Sequence, residues 1–412
     1  MTQRVAVIGA GVVGLACASY LQMRGVSVTV IDPRPPGEYC SFGNAGCFSR
    51  SSFVPLAMPG MWKKVPGWLL DPKGPLSIQL GYLPRIAPWL WRFQRSSSLE
   101  CVNQIADALY PLTNASIEKW RPLAARAGVP ELVVQKGYAL AYESPSAFLG
   151  DSLGRKMRID RGVKIEVITG SAVREFEPAL SQSVTHLVFM PEQGHCPNLL
   201  RLSQALADRL QIEGAQFIRH AAKGFECLDG RVARVVTDNG AVETDAVVIA
   251  AGAHSNELSA QLGSNVPLET ERGYHVMLEL PSVALRIPIM SAEGKFFATP
   301  MEGGLRIAGT VELAGLSAPP NYNRADVLLE GGKLLFPGLT HGKVERWMGH
   351  RPSLPDSKPV IGRSQRVPNV FFAFGHGHVG LTAAAPTGEI VADLITGRPP
   401  FMEIKAFSEN RF

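Results

Sequence analysis

No two of the six cysteines (Cys17, Cys40, Cys47, Cys101, Cys196 and Cys227) stand in C-x-x-C spacing along the 412 residues. Scattered cysteines in a chain this long read as reduced thiols of a cytoplasmic protein and argue against a disulfide framework. Long apolar runs are also missing, so no segment reaches the length needed to cross a bilayer. The opening stretch MTQRVAVIGAG is too briefly apolar for a signal peptide and passes straight into a glycine loop. Charge of one sign is scarce: lysine and arginine exceed the acids by only five, without clustering. Nucleic acid is therefore not an expected partner. Repeats and low-complexity tracts are absent. What remains is 46% hydrophobic and 19% charged, the composition of a folded enzyme with room for two domains.

Residues Arg4 to Ile8 form a short β-branched run, as in a strand buried on both faces. LACASYLQMRG then reads as a helix closing at Gly25, and VSVTVID as a second strand stopping at Asp32. Helix-then-strand patterns recur over Asn198 to Ile218, and short buried strands lie within Asp245 to His254 and Asn369 to Gly377. A final helix covers Ala383 to Ile395. Between these pieces, Phe53 to Arg95 is rich in proline and tryptophan, and Arg272 to Val311 reads as antiparallel strands with turns at EGK and EGG.

Gly9, Gly11 and Gly14 form G-x-G-x-x-G between the first strand and helix, with Asp32 closing the next strand. The first glycine makes the turn, the second lets backbone approach a pyrophosphate, and the third packs helix on strand. The helix N-terminus offers free N–H groups, and Asp32 an acceptor for a ribose hydroxyl. The pattern indicates dinucleotide binding without separating NAD from FAD.

Four further stretches occur in order: SFGNAGCFS (Ser41 to Ser49), ERGYHVML (Glu271 to Leu278), GHRPSLPDSKPVIGRS (Gly349 to Ser364) and FGHGHVGLTAAAPTGEIVADLITG (Phe374 to Gly397). Together they resemble the FAD-dependent D-amino acid oxidase and glycine oxidase superfamily over essentially the whole chain, nearest to bacterial D-amino acid dehydrogenases. VPGWLLDPKGPLSI, YLPRIAPWLWRF and FSENRF look most like cis-4-hydroxy-D-proline dehydrogenases. The resemblance implies an α/β fold: a discontinuous Rossmann-like FAD-binding domain (1–52, 190–262 and 349–412) with an inserted α+β substrate domain (53–189 and 263–348) on an antiparallel sheet.

It also implies a site. FAD would be held by Gly9, Ala10, Gly11, Val12, Val13 and Gly14, then by Asp32, Pro33 and Arg34. Ser41 would offer a hydroxyl, and Asn44, Ala45 and Gly46 backbone N–H groups. Cys40 stands where threonine is common in relatives. Lys223 replaces a valine whose main chain meets the adenine, and Ala251 and Gly252 would approach the FAD by backbone. The late loop of Gly375, His376, Gly377, Val379, Gly380, Leu381 and Thr382 would lie beside the ring. The following helix would point its N-terminus at the charge of the reduced flavin. His376 and His378 have no further ligand-type residues spaced around them, so no metal is expected.

Arg351 matches the arginine that pairs with an amino acid carboxylate, a task suited to a planar fork. His378 falls where glycine oxidases carry an arginine facing the substrate. Tyr274 and His275 are expected near the pocket, and Phe297 replaces a tyrosine, making the pocket more apolar. Arg306 and Arg50 are lesser candidates for the substrate, Arg306 being expected rather on a strand facing solvent and the role of Arg50 staying open.

The implied reaction is oxidation of a D-amino acid, with D-proline or cis-4-hydroxy-D-proline foremost, to its imino acid by hydride transfer to the flavin. Such chemistry needs orientation more than protein acids and bases. The alternatives are a glycine or sarcosine oxidase using oxygen, a flavin-binding subunit of a hetero-oligomer, and an NAD-linked dehydrogenase. The electron acceptor is a quinone or other carrier by the same resemblance, and the oligomeric state stays open. Trp62, Trp68, Trp89 and Trp91 beside Lys63, Lys64, Arg85, Arg92 and Arg95 read either as packing of the inserted domain or as a patch touching the inner membrane face.

Overall fold

A computed structural model describes residues 2–63 and 65–412, so Lys64 lies outside the described residues. The apolar runs found in the sequence become a six-stranded sheet. Its strand order is Val360–Arg363, Val370–Phe374, Ala246–Ile249, Arg4–Ile8, Ser27–Ile31 and Gln216–Ile218. All neighbours are parallel except Val360–Arg363, which runs antiparallel to Val370–Phe374. The arrangement buries both faces, which explains why these strands are continuous apolar runs.

On one face lie the helices Val12–Met23, Leu199–Ile212 and Gly380–Ile395. Small residues set their spacing. A Cβ on Gly388 would stand 2.6 Å from the Ala16 carbonyl carbon, so the first and last helices touch backbone to side. A three-stranded meander (Ala222–Leu228, Arg231–Thr237, Gly240–Glu243) and the helix Ser255–Gln261 cover the other face.

The second sheet is mostly antiparallel, in the order Val344–Ser353, Glu269–Leu278, Gly304–Leu313, Phe296–Met301, Ile289–Ser291, Tyr138–Tyr142, His186–Met190 and Glu166–Thr169. Leu76–Ile78 pairs alongside Gly304–Leu313, making nine strands. The two-residue period sorts its long strands. Tyr274, Val276, Leu278, Leu305 and Ile307 face the helix Asn323–Leu335 in one apolar core. Glu271, Gly273, Ala308 and Phe297 line a cavity on the opposite face.

Two expected boundaries need correction. Helices Leu99–Asn114 and Ser116–Arg126, expected with the substrate domain, bury Val102, Ile105, Leu109, Leu112 and Trp120 in the same core as the first helix. Their apolar spacing meets the helix Gly380–Ile395 rather than the second sheet. Position 349 also falls inside the strand Val344–Ser353, which stays paired with Glu269–Leu278 through Ser353.

Candidate active site

The glycine loop after Arg4–Ile8 can be built only from glycine at two points. Gly9 has φ +115°, and a Cβ there would stand 2.3 Å from the Ala250 carbonyl oxygen. A Cβ on Gly14 would stand 1.9 Å from the oxygen of Gly9. The loop is tied from two sides. The Ala10 N–H donates to Asp32 Oδ2 at 2.8 Å, and the Val12 N–H to Ser41 Oγ at 3.0 Å. Asp32 Oδ1 also accepts the Arg34 N–H at 2.8 Å, leaving part of its lone-pair capacity for a ligand. Asp32 and Ser41 thus shape the loop first.

This loop opens on a cavity of about 1460 Å³ that runs between the two sheets. Among the predicted residues, Gly9, Gly11, Val12, Val13, Asp32, Pro33, Arg34, Ser41, Asn44 and Ala45 line it. So do Lys223, Ala251, Gly252, His376, Gly377, Gly380, Leu381 and Thr382, together with Arg351 and His378. Six expected contacts stand away from it. Ala10 spends its N–H on Asp32, and Gly14 packs on Gly9. The Gly46 N–H goes to Asn44 Oδ1 at 2.9 Å, and the Asn44 N–H to the Ser41 carbonyl at 3.2 Å. Gly375 lies against Leu354, and Val379 is buried in the apolar core.

Tyr274 is the sixth and the main correction. Its side chain points to the far face of the second sheet, where its hydroxyl donates to Glu312 Oε2 at 2.5 Å and accepts the Asn321 N–H at 3.0 Å. The strand period that puts Gly273 in the cavity wall takes Tyr274 out of it. Arg306, expected at solvent, is 4% exposed.

Arg351 lies flat on a strand. A Cβ on Gly273 would stand 2.2 Å from its Nη2, so only glycine leaves room there. Nη1 donates to the Thr310 carbonyl at 2.9 Å and Nη2 to the Gly309 carbonyl at 3.3 Å. Those carbonyls turn inward at a register shift in the Glu269–Leu278 and Gly304–Leu313 pairing, where Thr310 takes φ +55°. A β-branched residue in the left-handed region is strained, and the strain sits beside the one cation best placed for an anion. Burial lowers the Arg351 pKa, partly offset by Glu271. His378 is held near pKa 4 by burial and by repulsion from Arg351, so it is a neutral imidazole at pH 7.

The segment 42–44 is clamped by Arg306, expected at solvent, and by His275, expected only near the pocket. Arg306 Nη1 donates to the Phe42 and Asn44 carbonyls at 2.7 and 2.8 Å. His275 Nδ1 donates to the Gly43 carbonyl at 3.1 Å, which fixes its tautomer. Burial holds His275 neutral, with a pKa of about 3. Its ring stacks on Trp347 at 5.1 Å, and Trp347 fills the space that side chains at Gly43 and Gly349 would need. Three successive carbonyls are therefore fixed from the second sheet.

A third part of the cavity is apolar. Met58, Trp62, Trp68, Leu76, Trp89 and Phe93 contribute to its lining, as do Leu140, Met290 and Phe297 from strands of the second sheet.

Comparison with known proteins decides the family. Residues 4–394 match the model of the FAD dependent oxidoreductases (DAO). The chain belongs to that family. It is 42% identical over 417 residues to the D-amino-acid oxidase of Bradyrhizobium diazoefficiens, covering 100% of this chain and 99% of the relative. It is 31% identical to a D-amino acid dehydrogenase of the same organism, covering 99% of both chains. The fold superposes on glycine oxidase from Geobacillus kaustophilus with a TM-score of 0.78, at 21% identity and 100% coverage of both.

The protein is thus an FAD-dependent oxidoreductase, and its residues fit FAD. The turn at Gly9 and Gly11 suits a pyrophosphate, and the Asp32 carboxylate a ribose hydroxyl. At Gly252, with φ +56°, a Cβ would meet nothing within 4 Å, so the backbone is bare toward the cavity. The helix Gly380–Ile395 opens at the cavity with the uncapped N–H groups that favour an electron-rich ring. His376 supports this loop from behind: its Nε2 meets Thr387 Oγ1 at 3.0 Å. Among the described residues no group of His, Cys, Asp or Glu could hold a metal ion. Among the described residues no helix is long and apolar enough to cross a membrane either.

Proposed function

We propose that the protein oxidises a D-amino acid, D-proline or cis-4-hydroxy-D-proline foremost, to its imino acid. The observation that carries this reading is Arg351: a guanidinium held flat on Gly273, in the wall of a cavity whose lining includes the apolar side chains of Leu76, Val311 and Phe297. A carboxylate pairs with the fork, and a compact ring sits on the apolar wall without leaving a polar group unpaired. The names of the two relatives above support the D-amino acid class. FAD, when bound, supplies the two-electron acceptor for the Cα hydride. The chain's own part is to fix the carboxylate at Arg351, to keep His378 uncharged beside it, and to hold the segment 41–45 rigid.

Anaerobic titration of the yellow holoenzyme with D-proline, cis-4-hydroxy-D-proline, D-alanine, glycine and sarcosine tests the substrate. Bleaching by the prolines at the lowest concentrations is expected, and bleaching by glycine or sarcosine alone would replace the reading with an amine oxidase.

A second reading concerns the acceptor and the membrane. Leu70 and Leu80 are each 84% exposed and Trp91 56%. They stand among exposed Lys63, Arg85, Arg92 and Arg95 in a stretch whose only acid is Asp71. Trp62, Trp68, Trp89 and Phe93 of the same stretch line the cavity, which favours a quinone as acceptor and peripheral contact with an anionic bilayer. Co-sedimentation with anionic vesicles, lost in high salt, is the expected result; no binding at low salt would remove it.

A further inference from the structure

Glu271 is a buried carboxylate in the cavity wall whose chemistry the account so far does not use. It is 5% exposed and lines the same cavity wall as Arg351. The two are direct partners across the Glu269–Leu278 and Val344–Ser353 pairing, so both side chains project from one spot on one face. Its neighbour two residues back is already committed: Glu269 accepts the Tyr82 hydroxyl at 2.9 Å on both oxygens. Arg351 is likewise committed in part, to the Gly309 and Thr310 carbonyls. Glu271 is left as the carboxylate available to the cavity beside the carboxylate anchor.

We propose that Glu271 binds the substrate's amine and takes its proton, so that a zwitterion enters and is held as a carboxylate with a neutral amine. The proposal rests on the amine oxidation put forward above. The step balances: one N–H bond of the ammonium breaks, one O–H bond forms on Glu271, and the net charge is unchanged while one positive and one negative charge are neutralised. Before transfer the wall would bury four charges, two on Arg351 and Glu271 and two on the substrate. After transfer it buries two, the guanidinium and the substrate carboxylate facing each other. Reducing buried charge while keeping the best-matched pair is favourable in a low-dielectric pocket. The neutral amine is also the form that can release a hydride from Cα. The groups facing Glu271 are Arg351 and Ser353 from the partner strand and Glu269 from its own, with His378 and Cys40 beyond Arg351. Burial, the largest influence, raises its proton affinity, while Arg351 opposes the rise.

The test uses holoenzyme and two ligands: D-proline, and cyclopentanecarboxylate, the same ring without the nitrogen. E271Q is expected to bind cyclopentanecarboxylate within a few-fold of the unmutated protein, read from the visible flavin spectrum. Its flavin bleaching by D-proline should fall by about a hundredfold or more at pH 7, the scale of a lost general base. The loss should shrink as pH rises toward the pKa of the free amine, because the acid limb moves to alkaline pH. Equal losses for both ligands, or an unmoved acid limb, would overturn the proposal. Should E271Q fail to retain FAD, the unmutated holoenzyme decides alone. An acid limb well below the pKa of the free amine supports a proton acceptor, and a limb at that pKa refutes one. Failure of every D-amino acid to bleach the unmutated flavin would remove the reaction itself, a different outcome from both.

Discussion

Replacing Arg306 with methionine separates fold stability from cofactor retention. The guanidinium donates two hydrogen bonds, to the Phe42 and Asn44 carbonyls, from a site 4% exposed. Hydrogen bonds from a charged donor contribute about 1.5–3 kcal/mol each, so the gross loss is about 3–6 kcal/mol. Against this, Arg306 forms no ion pair among the described residues, and burial lowers its pKa to about 10. At about 1.4 kcal/mol per unit, that is roughly 3 kcal/mol of desolvation that methionine avoids. Net stability should therefore change by no more than about 3 kcal/mol, with Tm lowered by a few degrees at most. FAD retention should suffer separately. Of the three clamped carbonyls only that of Gly43 keeps its partner, His275, so the Phe42 and Asn44 carbonyls must be held in place on binding without Arg306. We expect FAD affinity to fall about 10- to 100-fold, equivalent to about 1.4–2.8 kcal/mol. Flavin fluorescence titration of apoprotein, paired with calorimetry, reads both quantities. Unchanged FAD affinity in R306M would refute the clamp.

Gly273→Ala places a Cβ where Arg351 Nη2 now lies, 2.2 Å away, and should raise the apparent Kd for substrate by at least tenfold with FAD retained; unchanged substrate binding would show that the guanidinium does not need that seat. His195, His275, His376 and His378 all have pKa values pushed by burial to about 3 or 4. Below pH 6.5 the unfolded chain binds protons that the folded chain refuses. Stability should thus fall by about 1.4 kcal/mol per pH unit per histidine from pH 6.5 toward 4, seen as a falling Tm, and a Tm flat over that range would contradict it. Cys17, Cys47 and Cys196 are buried, with thiol pKa values near 12, while Cys227 is exposed. A thiol reagent should modify Cys227 first and leave Cys17 and Cys196 intact until unfolding, by mass spectrometry of digested protein; early labelling of Cys17 would show that the core opens readily.

The parts legible in the sequence are those encoded locally. Gly9, Gly11 and Gly14 with Asp32 describe one strand–turn–helix–strand unit, and the structure builds it in that order. Arg351 and His378 were marked by resemblance and do line the cavity. Arg306, His275 and Trp347 gain their contacts only when strands beyond residue 270 meet the segment 42–44, and no local pattern announces that pairing. One signal went unused. Reading Glu269–Leu278 with period two puts Glu271, Gly273 and His275 on one face and Arg272 with Tyr274 on the other. That alternation removes Tyr274 from the pocket and brings Glu271 into it. The helices over 99–126 share the core of the first helix, a destination their sequence does not disclose, because an apolar stripe shows that a helix is buried without saying against what.

The central claim is that Arg351 anchors an amino acid carboxylate for oxidation by FAD. Its most direct test is anaerobic stopped-flow bleaching of the holoenzyme by D-proline, for the unmutated protein beside R351A and R351K. The account predicts saturable bleaching in the unmutated protein and an apparent Kd raised at least a hundredfold in R351A. R351K should recover little of that loss, because an ammonium cannot make the paired planar contact. Wild-type affinity for D-proline in R351A, with FAD still bound, would contradict the account.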